Sequence, residues 1–168
     1  EYYSTLTYGT HTLDPTVPAI LANQGAVEFY VALLDETGAW NGFVSADHSN
    51  GGYSYLTDVT IGAYEEIIVT GYFGGEITFG PQGSNIVISN FAPHLEGFVA
   101  VHDPFQGWLW AKNFSTLVNG TGEFSQATHS GVHPSGDIFV SGVFSGETDF
   151  GGYSINATSQ DVFVAMLD

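Results

Sequence analysis

The hydrophobic residues of this chain fall into short runs separated by segments rich in Gly, Asn, Asp, Ser and Pro. Nowhere do apolar residues recur at the 3.6-residue spacing of an amphipathic helix with recognisable caps, so the pattern favours strands throughout. Strands are predicted at 2–9, 28–34, 53–62, 66–73, 76–79, 96–102, 108–114, 122–131, 137–144 and 161–168. Loops are predicted at 10–27 and 46–52. The chain is therefore predicted to be all-β.

Two motifs recur along the chain. The first reads EFYVALLD at 28–35, EGFVAVHD at 96–103 and DVFVAMLD at 161–168. The second reads IVTGYFGGEITFG at 68–80 and FVSGVFSGETDFG at 139–151, a spacing of 71 residues. In the copy at 28–35 both faces of the strand are apolar, which indicates a strand covered on both sides. An internal repeat of this length predicts stacked or radially arranged units.

One full unit contains four main strands in sequence order, which is the content of one β-propeller blade. The segments IVTGYFGGEITFG, GFVAVHD and GWLWAKNF resemble the bacterial β-propeller repeats known as SBBP repeats. The resemblance covers nearly all of the chain except about residues 10–27, and it implies blade structure rather than an activity. It divides the chain into a partial blade at 1–46, a full blade at 47–115 and a partial blade at 116–168.

The number of units is the most informative departure from a propeller. Propellers close with about four to eight blades, whereas this sequence contains little more than two units and is incomplete at both ends. Open strand edges are rarely left unpaired in soluble proteins, so we expect head-to-tail self-assembly by strand addition between copies, into a ring or a filament. The predicted interface residues are Tyr2, Tyr3, Leu6, Tyr8, Phe163, Val164, Met166 and Leu167. A fragment of a longer propeller and a compact β-sandwich remain open as alternatives.

A second departure concerns the core strand. Where the SBBP repeats often carry a lysine, this chain has Leu33, Val101 and Met166. An apolar residue at a position that is exposed and cationic in the family suggests an additional buried face, for example against a neighbouring copy.

The net charge of the chain restricts the classes of partner that it can bind. Its 18 Asp and Glu residues face a single Lys and no Arg, giving a formal net charge of −17. Nucleic acid and anionic membrane surfaces need a basic patch, and no apolar run is long enough for membrane insertion. Copies of the chain, glycans and cations remain as partners. Few charges with many Gly, Tyr and Thr residues favour an extracellular or cell-surface protein, with glycosylation candidates at Asn113, Asn119 and Asn156.

No cofactor is required by any motif, but calcium is the metal that the acidic turns favour, because it prefers hard oxygen ligands. The candidate ligands are Asp47, Glu65, Glu66, Glu147 and Asp149, although a solvated acidic surface is the favoured interpretation of the same residues. His129 and His133 flank a glycine and do not form a helical zinc motif. No nucleophile elbow is present, so we do not expect an enzyme.

Two function hypotheses follow. The first is an extracellular or cell-surface structural protomer that assembles by strand complementation. The second is a calcium-assisted glycan-binding or adhesion module, for which Trp40, Trp108 and Trp110 offer stacking surfaces, although packing in the core is the default role of such residues. An acidic glycoside-acting enzyme is a third hypothesis, for which the sequence selects no carboxylate pair.

Overall fold

A computed structural model describes residues 6–8, 11–13, 29–34, 37–80, 86–90, 94–117 and 123–168. In this part of the chain the structure has eleven strands and no helix. The strands are β1 (Leu6–Tyr8), β2 (His11–Leu13), β3 (Tyr30–Leu34), β4 (Trp40–Ile61), β5 (Ile67–Phe79), β6 (Ile86–Ser89), β7 (Glu96–Asp103), β8 (Gly107–Leu117), β9 (Phe124–Val132), β10 (Ile138–Asp149) and β11 (Ser154–Leu167). The all-β prediction is confirmed.

Nine of the described strands belong to one antiparallel sheet. Its order is β11-β10-β8-β7-β5-β4-β3, with β6 beside β5 and β9 beside β10, while β1 and β2 pair separately. The sheet is neither closed nor curled, and no propeller is shown. The structure therefore confirms the predicted antiparallel all-β architecture but does not show the predicted propeller-like arrangement.

The repeat is visible in the strand pairing. Residues 67–73 of β5 pair with β7, and residues 138–144 of β10 pair with β11 in the same way. We call β5 to β8 with residues 53–61 of β4 the middle unit, and β9 to β11 the last unit. The first hairpin is β3 with residues 40–45 of β4.

The two joints between neighbouring units have the same register of strand pairing. Between the first hairpin and the middle unit, His48 lies opposite Ile77. Between the middle and last units, Thr116 lies opposite Thr148. Ile77 and Thr148 are 71 residues apart, so each joint uses the same position of the repeat.

Two hydrophobic cores lie on opposite faces of the middle unit. Along β5 and β7, alternate side chains enter different cores because successive residues of a strand point to opposite faces. The core shared with the first hairpin contains Phe29, Val44, Ile67, Val69, Phe73, Phe79, Phe98 and Ala100. The core shared with the last unit contains Ile68, Val99, Val101, Phe114, Ala127, Val140, Phe144 and Phe163. The middle unit is thus covered on both faces.

Both predicted loops contain strand. Residues 46–52 lie inside the continuous strand β4, because β5 is long enough to pair with Asp47 and Ser49 as well as with the later part of β4. A register shift between Ser49 and Tyr53 marks the passage from one unit to the next. Residues 11–13 form β2, paired with β1, and the rest of the predicted 10–27 loop lies outside the described residues.

Candidate assembly surface

Strand β7 shows what a completed copy of the repeated motif looks like. Phe98, Val99 and Ala100 have no exposed surface. β5 pairs with one edge of β7 and β8 with the other. Both faces and both edges of the strand are therefore satisfied within the chain.

The acidic residue at the start of β7 is satisfied by the neighbouring strand β8. The Glu96 carboxylate accepts hydrogen bonds from Asn113 Nδ2 at 2.6 Å and from the Thr116 amide at 3.3 Å. Burial raises the pKa of Glu96, and these hydrogen bonds, with one from Ser115, oppose that rise. The motif's acidic position thus depends on β8 for its partners.

Strand β11 carries the same motif in a different environment. It pairs with β10 from Asp161 to Leu167, and no described strand pairs with its other edge. The side chains of Val162, Val164 and Met166 are 73%, 74% and 58% exposed. Three apolar residues on one face of an edge strand form an unpartnered surface, which we call the bare face.

Alignment of the two copies of the motif identifies the buried residues of β7 that correspond to the bare face of β11. Val164 takes the place of Val99, and Met166 that of Val101. Val99 and Val101 lie in the core formed with the last unit. The bare face is therefore the surface that, one unit earlier, is covered by a further unit.

The junction between the middle and last units shows how such covering works. Across it, Thr57 Oγ1 donates to the Ala127 carbonyl at 2.8 Å, and the Ser130 amide donates to Asp58 Oδ2 at 2.8 Å. The Gly97 amide donates to Ser125 Oγ at 2.9 Å. Polar backbone and side-chain groups of β9 therefore form hydrogen bonds to the middle unit around the edge of the apolar contact.

The pKa of Asp58 reflects its place in this junction. Burial raises it, but hydrogen bonds from the Ser130 amide, the Val59 amide and the Ser130 hydroxyl outweigh that effect and hold it below its ordinary value. The ionised carboxylate is thus the form that the junction favours.

One position of the motif sets how closely two units approach. A Cβ added to Gly97 would lie 2.7 Å from the Ala127 nitrogen, so this junction needs glycine. At the preceding junction the same position is Phe29, which stacks on Phe98 at a centroid distance of 5.9 Å. The bare face has Val162 there. Because Phe29 is accommodated at one junction, a side chain at this position does not prevent packing.

An apolar cleft opens beside the bare face. It has a volume of about 250 Å³ and is lined by Phe150, Tyr153, Ile155, Phe163, Val164, Ala165 and Met166. A larger and more polar groove of about 630 Å³ lies elsewhere on the last unit. It is lined by Glu123, Phe124, Ser145, Gly146, Glu147, Asn156, Ala157, Thr158, Ser159 and Gln160.

The predicted interface residues lie in different environments in the structure. Val164 and Met166 are exposed, but Phe163 is buried against Phe114, Phe144 and Phe150, and Leu167 is half-buried. Leu6 and Tyr8 lie in β1, paired with β2, whereas Tyr2 and Tyr3 lie outside the described residues. Sequence reasoning missed Val162, although the two-residue alternation shared with Val164 was a sufficient signal.

The predicted calcium ligands are not gathered into one site. Glu66 Oε2 accepts a hydrogen bond from the Tyr64 amide at 2.9 Å, and Asp149 Oδ1 accepts one from the Gly152 amide at 2.6 Å, so both shape turns. Glu65 adopts a positive φ of 70° in the first of these turns. Asp47 and Glu147 lie in β4 and β10. Among the described residues, no three His, Asp or Glu side chains are placed to hold a metal ion.

The three glycosylation candidates also differ. The Asn113 side-chain nitrogen, to which a glycan would attach, donates to Glu96 and to Ser115 Oγ. Asn156 is exposed and lines the polar groove. Asn119 lies outside the described residues.

Comparison with known proteins adds no family. No family model matches the chain, and no curated protein matches it either. In the described part of the chain, no helix is long and apolar enough to cross a membrane. The resemblance to SBBP repeats thus stays a hypothesis, and the middle unit is the reference for interpreting the last one.

Proposed function

We propose that this protein is an extracellular or cell-surface structural protomer that self-assembles head to tail. In this proposal a second copy covers the bare face and adds a strand to the free edge of β11. The contrast between β7 and β11 carries the proposal, because the same motif is fully enclosed in one unit and half exposed in the next. Apolar surface removed from water at the junction supplies the driving force.

We further propose that the units are propeller-like blades. In support, the middle unit has four consecutive antiparallel main strands, and its two faces pack against neighbouring units. The first hairpin and the last unit are then incomplete blades. Repetition of a head-to-tail contact gives a ring where the rotation closes and a filament where it does not.

Charge moderates the proposed assembly. A net charge of −17 makes copies of the chain repel one another, and dissolved ions weaken this repulsion within a Debye length. We therefore expect assembly to strengthen with salt. The extracellular or surface setting is supported by composition alone.

The experiment is a concentration series by light scattering combined with negative-stain microscopy. We expect particle mass to rise with concentration and with salt, and Val164→Lys to keep the chain monomeric. Val87→Lys is the matched control, because Val87 is 46% exposed on β6, away from β11. A wild-type chain that stays monomeric in every condition contradicts the proposal. A Val164→Lys variant that assembles like the wild type contradicts the placement of the interface.

A chelator arm separates two modes of assembly. Assembly driven by apolar burial persists in excess chelator at constant ionic strength. Loss of the particles in chelator would mean that calcium joins the copies.

Glycan binding is a second candidate function, and the polar groove of the last unit favours it. Its wall combines amides at Asn156 and Gln160, carboxylates at Glu123 and Glu147, and the aromatic Phe124. A concave site with convergent polar groups and some apolar surface suits a sugar. Binding to an oligosaccharide array, lost in Gln160→Ala, tests it. An array on which the wild type binds nothing rejects it.

A further inference from the structure

Both junctions between units use the repeated motif in the same way. In the first copy of the motif, the second, fourth and sixth residues are Phe29, Val31 and Leu33, and all three pack in the core shared with the middle unit. In β7 the fourth and sixth residues are Val99 and Val101, and both lie in the core shared with the last unit. The even positions of the motif therefore face the unit that follows.

The odd positions of the motif face the opposite way, because successive side chains of a strand alternate between its two faces. In the middle unit, Phe98 and Ala100 lie in the core shared with the first hairpin. Phe98 stacks there on Phe29 at a centroid distance of 5.9 Å. In the last unit, Phe163 and Ala165 pack in the core shared with the middle unit. The third and fifth positions therefore receive the unit that precedes.

The first hairpin and the last unit each carry one of these surfaces outside both cores. On the last unit it is the bare face, beside which Phe139 of β10 is 38% exposed, although its counterpart Ile68 is buried. On the first hairpin it consists of Tyr30, Ala32 and Leu34, which we call the outer face of β3. Ala32 is half-buried and Leu34 is 57% exposed. The described residues thus offer one surface of each kind.

We infer that the bare face of one copy packs against the outer face of β3 in a second copy, which repeats the contact of both internal junctions. The inference rests on the proposed self-assembly and names the surface of the second copy that takes part. Val162 then lies over Tyr30, because these are the motif positions of Phe29 and Phe98, whose rings stack. The contact uses the face of β3, so the pairing of β3 with β4 is unchanged.

The chemistry of the two surfaces suits a contact between copies. Each surface consists of uncharged side chains, two valines and a methionine on one and a tyrosine, an alanine and a leucine on the other. Removing apolar side chains from water favours the contact, and salt screens the repulsion due to the net charge of −17. Because the two surfaces differ, the contact is head to tail, and each copy keeps one surface for a further copy.

The test uses two variants, each with one surface blocked. Val164→Lys blocks the bare face and leaves the outer face of β3 intact, whereas Leu34→Lys does the reverse. Both side chains are more than half exposed, so neither substitution should destabilise the fold. At a concentration and salt at which the wild type forms particles, we expect light scattering to find each variant monomeric. An equimolar mixture should form a complex of two chains and nothing larger, because only one intact pair of surfaces remains.

The control and the contradicting outcomes are equally specific. Ile61→Lys is the matched control for Leu34→Lys, because Ile61 is 62% exposed at the end of β4, and it should assemble like the wild type. Leu34→Lys chains that assemble like the wild type overturn the inference, and so does a mixture that contains only monomers. Either result, with wild-type particles present, leaves self-assembly standing. A wild type that stays monomeric in every condition rejects self-assembly itself, and the inference with it.

Cross-linking tests the contact directly, because the chain has no cysteine of its own. Val162→Cys and Tyr30→Cys are made in separate chains, mixed under assembly conditions and treated with a short bismaleimide. We expect cross-linked dimers in the mixture and none in either variant alone. Dimers that form equally well from Val162→Cys alone would mean that two bare faces pack against each other, which overturns the inference.

Discussion

Strands β7 and β11 carry the same motif and live in different surroundings. In β7 the acidic residue, the aromatic residue and the two valines are all buried, with strands on both edges. In β11 only Phe163 of the corresponding residues is buried, and Val164 is largely exposed. The positions of the apolar residues along a strand thus indicate which of its faces are suited to burial. Whether it is covered depends on the neighbouring unit.

The difference also extends to polar groups. Glu96 obtains its hydrogen bonds from β8, whereas Asp161 is exposed and its Oδ1 accepts from the Val162 amide next to it. The outer strand therefore has two effects on β7. It pairs with the edge of the strand, and it supplies the hydrogen bonds of the acidic residue.

The sharpest test of the comparison is one substitution made at two equivalent positions. Val99→Asp introduces an unpaired charge into a closed core and is expected to destabilise the fold by about 3–5 kcal/mol. Val164→Asp, on the bare face, is expected to change the monomer by no more than about 0.5 kcal/mol. Urea unfolding followed by circular dichroism measures both. Equal losses would mean that the bare face is buried in the monomer.

The aromatic position of the motif should show a smaller contrast. Phe98→Ala removes a fully buried ring between two units and is expected to cost about 3–5 kcal/mol. Phe163→Ala should cost less, because the open cleft lies on one side of its ring. The same unfolding experiment applies, and a larger loss at Phe163 would contradict the asymmetry.

The junction between units predicts an effect of intermediate size. Asp58→Ala leaves the Ser130 amide without its partner and is expected to cost about 1–2 kcal/mol at neutral pH. Because the pKa of Asp58 is below its ordinary value of 3.8, its contribution is present above that pH and is lost as the pH falls through the folded-state pKa. Asp168→Ala, at an exposed aspartate that follows β11, is the control and should cost no more than about 0.5 kcal/mol. Equal losses in both variants would contradict a role for this junction.

The smallest effect is expected at the acidic position of the motif. Burial raises the pKa of Glu96 above its ordinary value of 4.5, so the folded state binds this proton more tightly than the unfolded chain does. Its stabilising contribution is full below pH 4.5 and is lost as the pH rises through the folded-state pKa. Glu96→Gln should remove this part of the pH dependence of unfolding, and Asp161→Asn should not. Parallel pH profiles for Glu96→Gln and the wild type would contradict the burial.

Much of the fold follows from the sequence. Alternating apolar residues and turn segments predict most of β5 and β7 to β10, with turns at 63–65 and 133–136. Residues 46–52 were wrongly predicted as a loop, because their polar side chains hide a backbone that pairs with β5. That pairing is a long-range property, and local composition does not contain it.

The assembly surface was predictable in outline and not in detail. The repeat points to β11, but assigning Phe163 to an interface ignored that it faces the core shared by the middle and last units. Alternation along the strand separates Phe163 from Val162 and Val164. The cleft required the structure, because it depends on the side chain of Phe150, which comes from a different strand segment.

The most direct test of the account is hydrogen exchange of the amides in 161–167 and in 96–102 across a range of protein concentrations. We predict that the amides of β7 are protected at every concentration. Those of β11 that point away from β10 should exchange rapidly in the dilute chain and become protected as particles form. Protection of β11 that is already complete in the dilute chain, or that does not change when particles form, would contradict the claim that a second copy completes this strand.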